Sequence, residues 1–328
     1  MKKIIFTLLF ASSIILTAQE KEEKTFTLSG SVDTYFRGNI SGGNFDTAPG
    51  SSFANQPGFA LGMINLIAGY EGEKVGFVAD MVYGPRGADA VFGSPAGSAQ
   101  IVNQLYAYWN VSEKVTLTLG NFNTFLGYEV ISPTANFNYS TSYLFSYGPF
   151  SHTGIKADIA LSENTSLMLA VMNPTDATEF NPTGNYAFGA QLGFSGQYIN
   201  FLLDNGAYEI DFTGGFDLSE TFFLGVNAAY FSGDDAPGFY GAALYPQIAT
   251  SDSFKIGLRT EYFIEDGSFG AIGTGVADSS VFATTLTGNY SIGSLTIIPE
   301  LRLDSASEAA FVGDKSLSSF ALAAVYSF

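Results

Sequence analysis

Apolar and polar side chains alternate along this chain almost from end to end, with the period of two that puts successive side chains on opposite faces of a β-strand. Over residues 25–37, Phe26, Leu28, Val32 and Phe36 share one face, while Ser29, Ser31, Asp33, Tyr35 and Arg37 share the other. The same reading sets Val75, Phe77, Ala79, Met81 and Tyr83 against Asp80, and Leu105, Ala107, Trp109 and Val111 against Gln104, Tyr106, Tyr108 and Asn110. Farther on, Tyr208, Ile210, Phe212, Phe216 and Leu218 oppose Glu209, Asp211, Thr213 and Asp217. Phe254, Ile256, Leu258, Tyr262 and Ile264 oppose Lys255, Arg259 and Glu261.

The links between these strands alternate in length. Short turn-forming links fall at 71–74, 112–114, 162–165, 219–221, 249–253 and near Gly293; longer segments rich in Gly, Pro, Ser and Asp fall at 41–57, 85–98, 127–151, 174–184, 233–238, 265–278 and 304–316. Short turns at one end and long loops at the other are the signature of an outer-membrane barrel. Counting hairpins gives about 16 strands between residue 25 and Phe328, in a closed antiparallel all-β transmembrane barrel. The tight Asp204-Asn205-Gly206 turn and the interruption at Pro246 leave 14 or 18 strands open.

Composition decides what covers the outside. Charged residues make up only 13% of the 328, whereas a water-soluble domain carries about 25%. Aromatics reach 15%, with 31 Phe and 18 Tyr, and Tyr70, Tyr83, Trp109, Tyr230, Tyr290 and Tyr326 fall on apolar faces, where aromatic girdles flank a lipid-facing band. Past residue 18 no run approaches the roughly 18 consecutive apolar residues of a membrane helix. Lipid offers no partner for backbone N–H and C=O groups, so the sheet must close on itself. Phe320, Leu322, Ala324, Tyr326 and Phe328 form the outward face of a suitable closing strand. Residues 1–18, with Lys2 and Lys3 ahead of an apolar run ending at Ala18, read as a cleavable secretory leader, and 19–24 as a short periplasmic tail.

Once Lys2 and Lys3 leave with the leader, 11 basic residues face 31 acidic ones, the wrong sign for nucleic acid. Cysteine is absent and His152 is the single histidine, so disulfides, thiolate sites and histidine metal clusters are excluded and no cofactor is expected. Gly270, Gly273 and Gly275 have no following Lys or helix to make a phosphate cradle. As a catalytic base His152 lacks any recognisable nucleophile or acid partner.

By parity the inward-facing charges are Asp33, Arg37, Asp80, Lys156, Asp158, Glu209, Asp211, Asp217, Lys255, Arg259, Glu261, Glu300, Arg302 and Asp304. Two readings stand for them: ion-pair networks that stiffen the wall, with Arg259 and Glu261, or Glu300 and Arg302, in cross-strand ladders, or a transverse field acting on solutes. Acids outnumber bases nine to five in this set, which favours cations weakly. Segment 127–151 is the longest link and carries Phe137, Tyr139, Tyr143, Phe145, Tyr147 and Phe150. Such an apolar loop is expected either to fold into the barrel mouth as a constriction or to pack outside against its neighbours. Glu129 and Lys156 then line the narrow zone or form a structural ion pair. Tyr35, Tyr106, Tyr108, Phe122 and Phe263 hint at an aromatic track for oligosaccharides.

The stretch 103–161 and the later 239–268 resemble the β-barrel porin family of Gram-negative outer membranes. The likeness rests on a Gly-x-Glu element at Gly127, Tyr128 and Glu129, on Pro149, His152, Thr153 and Gly154, and on Leu258, Arg259, Glu261, Tyr262 and Phe263. It implies a porin-like channel and no reaction, with the 127–151 loop folded toward the lumen and His152 near it. The terminal Phe328 resembles the aromatic ending read by barrel-assembly machinery. The partners expected are therefore outer-membrane lipid, small hydrophilic solutes and that machinery, with a homo-oligomer as a further expectation. The rival class is a non-conducting surface barrel for adhesion or structure.

Overall fold

Alternation of this kind needs a sheet with two unlike sides, and the computed structural model shows one. It describes residues 25–328 except 51, 52, 96, 98, 99 and 235, so the expected leader and tail lie outside the described residues. Sixteen strands follow in order: β1 (Thr25–Ser41), β2 (Gly58–Glu71), β3 (Val75–Tyr83), β4 (Val102–Ser112), β5 (Val115–Asn123), β6 (Ser151–Ala160), β7 (Thr165–Met172) and β8 (Ala187–Phe194). The series continues with β9 (Gln197–Asp204), β10 (Ala207–Asp217), β11 (Phe222–Ser232), β12 (Gly238–Ala249), β13 (Phe254–Asp266), β14 (Ser280–Ile292), β15 (Leu295–Ala306) and β16 (Ser316–Ser327). Each pairs antiparallel with its neighbours in sequence, and β16 pairs with β1 to close the ring. Two short helices lie in the long loops, α1 (Pro85–Ala90) and α2 (Tyr143–Tyr147).

The outer face is apolar throughout. Leu28 is 63% exposed, Leu119 66% and Trp109 50%, values no soluble protein tolerates around its whole girth. A row of aromatic rings marks its loop-side border, with Tyr208, Tyr230 and Tyr240 spaced 6.0 and 6.4 Å apart and Tyr262 paired to Phe282. Closure is tight: Phe328 N donates to Gly30 O and Gly30 N to Phe328 O, both at 3.0 Å. Gly30 permits this approach, since a Cβ there would stand 2.1 Å from Asn65 O and 2.9 Å from the Phe328 ring.

The ambiguous places resolve within the sixteen-strand count. The Asn205-Gly206 turn joins β9 to β10 directly, with both residues at positive φ as a two-residue hairpin requires. Pro246 sits inside β12, and the β12–β13 register omits Tyr245 and Pro246 before resuming at Gln247 and Gly257. A proline has no N–H to give the ladder, so the break is local and the strand continues.

A two-against-one bulge in β2 faces the inward Asp33: Val32 pairs with Ile64 and Thr34 with Leu61, leaving Asp33 opposite Gly62 and Met63. Its Oδ1 accepts from Met63 N at 3.0 Å, which leaves Oδ2 pointing into the barrel.

Candidate functional site: a loop across the lumen

Segment 124–150 leaves the barrel between β5 and β6 and turns inward. Its base is pinned by Thr124 N donating to Phe150 O at 2.9 Å, and by the 3.0 Å contact between Thr124 Oγ1 and His152 Nε2. Phe150 N and Ser151 N both donate to Asp176 Oδ1 at 2.8 Å. Burial raises the Asp176 carboxyl to about 6, against the pull of those two amides. Midway, Val130 and the Asn136 side chain close a small turn, and Ser142 Oγ caps α2 by accepting from Phe145 N at 3.1 Å. The loop folds inward because water would otherwise cover its rings: Tyr139 and Tyr143 are 0% exposed, and Leu144, Phe145 and Phe150 are also buried.

Residues 138–144 reach the far wall. In a ring of sixteen, β5 and β13 stand eight strands apart, so a chain that leaves β5 and bonds to β13 crosses the lumen. Charged side chains of that wall hold the loop by its main chain. Glu261 on β13 accepts from Tyr143 N at 2.9 Å and Leu144 N at 2.7 Å. Glu300 on β15 accepts from Tyr139 N at 2.9 Å and from both the N–H and hydroxyl of Ser140. Arg259 donates to Ser140 O at 2.6 Å, Arg302 to Thr141 O at 2.7 Å, and Arg86, from α1, to Tyr139 O at 3.1 Å. Glu129, inside the loop, accepts from Ser142 N at 2.7 Å and pairs with Arg259 at 2.6 Å. Side-chain ties complete the attachment, with Asn138 donating to Thr287 at 2.7 Å and Tyr139 Oη to Asp33 Oδ2 at 2.5 Å. Burial holds the Tyr139 and Tyr143 phenols well above their usual range, so both stay neutral, and Tyr139 is the one that donates, to Asp33.

The near wall grips the root of the loop differently. Phe125 and Leu126 pack among Phe122, Met168, Ala170, Met172, Ala187 and Leu202, an apolar patch on the inner face of β5 to β9. Phe125 lies on Gly189, where a Cβ would come within 2.5 Å of its ring.

Asp33, Arg37, Asp80, Glu129, His152, Glu209, Asp211, Arg259, Glu261, Glu300 and Arg302 are all buried, eleven residues at 7% exposure or less. Lys156, Asp158 and Lys255 remain partly open to water, and Asp217 is exposed at a strand end. Three pairings differ from expectation. Glu129 pairs with Arg259 and not with Lys156, because the loop carries it to the opposite wall; Lys156 pairs along its own strand with Asp158 at 2.8 Å. Nor do Arg259 with Glu261, or Glu300 with Arg302, build cross-strand ladders: their carboxylates are spent on loop amides, and Arg302 forks onto Asp304 at 2.8 Å. The expected aromatic track is broken too, since Tyr35, Phe122 and Phe263 are buried at 4% or less and only Tyr106 and Tyr108 stay half-open. His152 is fully buried against Phe122 and Phe125, with no carboxylate among its hydrogen-bond partners.

Several participants escape period-two reading. Arg86 is 1% exposed, caught between the Tyr139 ring at 5.1 Å and the Phe53 ring at 5.5 Å. Asp80 is cradled by Asn65 and Asn103 from the strands on either side, and Asp211 in the same way by Asn200 and Asn227. An Asn at an inward position of each flanking strand is the signal for the Asp211 cradle, whereas Asn103 has the outward parity of Leu105 and reaches Asp80 only because the β3–β4 register shifts there.

A closed sixteen-strand barrel, apolar outside and crossed inside by one anchored loop, can be compared with known proteins. The family described as "Putative beta-barrel porin-2, OmpL-like" matches residues 25–328. The chain belongs to that family. Among solved structures, this porin-family barrel is similar to the outer membrane channel DcaP of Acinetobacter baumannii (TM-score 0.64, 13% identity, 96% of this chain and 100% of that one). It is similar also to an anion-selective porin from Comamonas acidovorans (0.61, 12%, 93% and 100%) and to Salmonella typhi OmpF in complex with daunomycin (0.63, 11%, 93% and 98%). At these identities the likeness is one of fold. No curated protein matches the chain in sequence.

Proposed function

We propose that this porin-family barrel sits in the bacterial outer membrane, in contact with lipid over its whole apolar girth, and lets small hydrophilic solutes diffuse passively past the 124–150 loop. The observation that carries this reading is the loop itself. A sixteen-strand barrel encloses more cross-section than its wall side chains can fill, and a segment crossing from β5 to β13 narrows that lumen without closing the strands. A purely structural barrel needs no such crossing. Weak cation preference follows from the charges that lack a basic partner. Asp80 and Asp211 are satisfied by amides alone and leave negative potential on the lumen wall.

The test is single-channel recording of detergent-purified protein in planar bilayers under a potassium chloride gradient. Ohmic steps with a reversal potential on the cation side are expected. Insertion without conductance would favour a surface barrel whose loops do the work, and a reversal potential on the anion side would overturn the charge assignment alone.

A further inference from the structure

Three aromatic side chains inside the turn end of the barrel lie against glycines of a neighbouring strand. A Cβ added at Gly76 would stand 2.3 Å from Tyr108 Oη, one at Gly193 2.9 Å from Tyr198 Cε1, and one at Gly215 2.7 Å from Phe223 Cζ. Contact at that distance holds the tip or edge of each ring against the wall. All three are only half-buried, unlike the charged residues under the loop, and part of the Tyr108 ring stays open to the lumen.

Around Tyr108 the register assembles a polar rim. Thr118 of β5 stands beside Tyr108, and Lys156 of β6 beside Thr118; one rank nearer the turns, Thr116 lies between Asn110 and Asp158. Lys156 Nζ and Asp158 Oδ2 are 2.8 Å apart, with side chains 22% and 38% exposed, and Thr116 Oγ1 donates to Asn110 Oδ1 at 2.9 Å. Lys156 Nζ also sits 5.4 Å from the Phe122 ring centre, which fixes its reach. The patch therefore offers a half-open aromatic ring with donors and acceptors side by side; its Lys156–Asp158 pair is balanced, and Glu71, opposite Gly76, adds one acid at its edge. An anion gains little there. A pyranose ring matches it, because one face of such a ring presents C–H groups and its edge presents hydroxyls that both donate and accept.

Resting on the channel reading above, we propose that the turn end of the lumen holds a binding site for a neutral sugar ring, stacked on Tyr108 and hydrogen-bonded at its edge by Asn110, Lys156 and Asp158. The site lies on the solute path between the loop and the turn-side mouth, so occupancy obstructs ion flow.

Maltotriose added during single-channel recording is the probe. Saturable, concentration-dependent block is expected, weakened about tenfold in Tyr108→Ala, the loss of one stacked ring. Tyr230→Ala, on the outward face, should leave the block constant unchanged. Ohmic steps with no block at any maltotriose concentration overturn the sugar site and leave the channel intact. If no steps occur, the channel reading fails, and saturation-transfer NMR of maltotriose with detergent-solubilised protein decides the site by itself. Transfer to sugar protons that disappears in Tyr108→Ala is then expected, and absence of transfer overturns the site.

Discussion

The two arcs of this barrel hold one loop by opposite chemistry. From β13 through β16 to β1 the strands are long, 12 to 17 residues, and their inner faces carry the charges that grip main-chain groups of 139–144. From β5 to β9 they are short, 8 to 10 residues, and the grip is mainly apolar, Phe125 and Leu126 among methionine and alanine side chains, with one directional tie from the Gln191 amide to Phe125 O at 3.1 Å. Directional bonds to a backbone fix register and path, whereas apolar packing fixes only proximity. The far arc therefore decides where the narrow zone lies, and the near arc mainly keeps the root of the loop inside.

Removing Arg259 should break this contrast most severely. Arg259→Ala strands the Glu129 carboxylate and the Ser140 carbonyl without their donor, and loss of one member of a buried pair costs about 3–5 kcal/mol. Urea unfolding in detergent should show that loss, and single-channel conductance should rise as 139–144 comes free. Met172→Ala, in the fully buried near-wall patch, is expected to cost about 2–4 kcal/mol with no rise in conductance, because the far-wall anchors stay in place. A rise in conductance there would mean that apolar packing also sets the path of the loop.

Tyr139→Phe removes one hydrogen bond to a carboxylate, Asp33, and should lower stability by about 1.5–3 kcal/mol in the same assay. Lys156→Ala leaves the far-wall anchors intact and touches the near-wall patch only through the Phe122 ring. Its partly exposed pair is worth about 1 kcal/mol or less, but the unpaired Asp158 should move the reversal potential further toward cations.

What could be read in advance was the wall. Strand faces, the closing strand ending in Phe328 and the hairpin order follow from period two and link length, which are local properties, whereas the apolar 127–151 loop stood between folding inward and packing outside, and only the family resemblance turned it toward the lumen. The anchors were hidden because they join residues far apart in sequence. Glu129 meets Arg259 across 130 positions, and Glu300 meets Tyr139 across 161. Parity assigns each a face but cannot say that a loop will arrive to consume its charge. That is why Glu129 looked like a partner for Lys156, and why Glu261 and Glu300 looked like members of ladders. The Lys156–Asp158 pair, two apart on one strand, was within reach of the same parity rule.

A pH dependence is expected as well. The fold favours the protonated form of Asp176, whose carboxyl burial raises from 3.8 to about 6, with Asp204 adding to the rise. Its contribution to closing the loop base is full below the ordinary carboxylate value and fades as pH climbs through 6. Asp176→Asn should flatten the stability profile between those limits, read as melting temperature in detergent; an unchanged slope would show that Asp176 does not titrate there.

The crossing itself can be tested without any current. The protein has no cysteine, so the double variant Asn138→Cys, Thr287→Cys introduces a single possible intramolecular disulfide, at a contact where Nδ2 and Oγ1 stand 2.7 Å apart. A loop that spans the lumen predicts that the folded barrel oxidises to this one crosslink, seen by mass spectrometry as a joined peptide pair. Two free thiols after oxidation of the folded barrel would mean that residue 138 never reaches β14, and the constriction would have to be placed elsewhere.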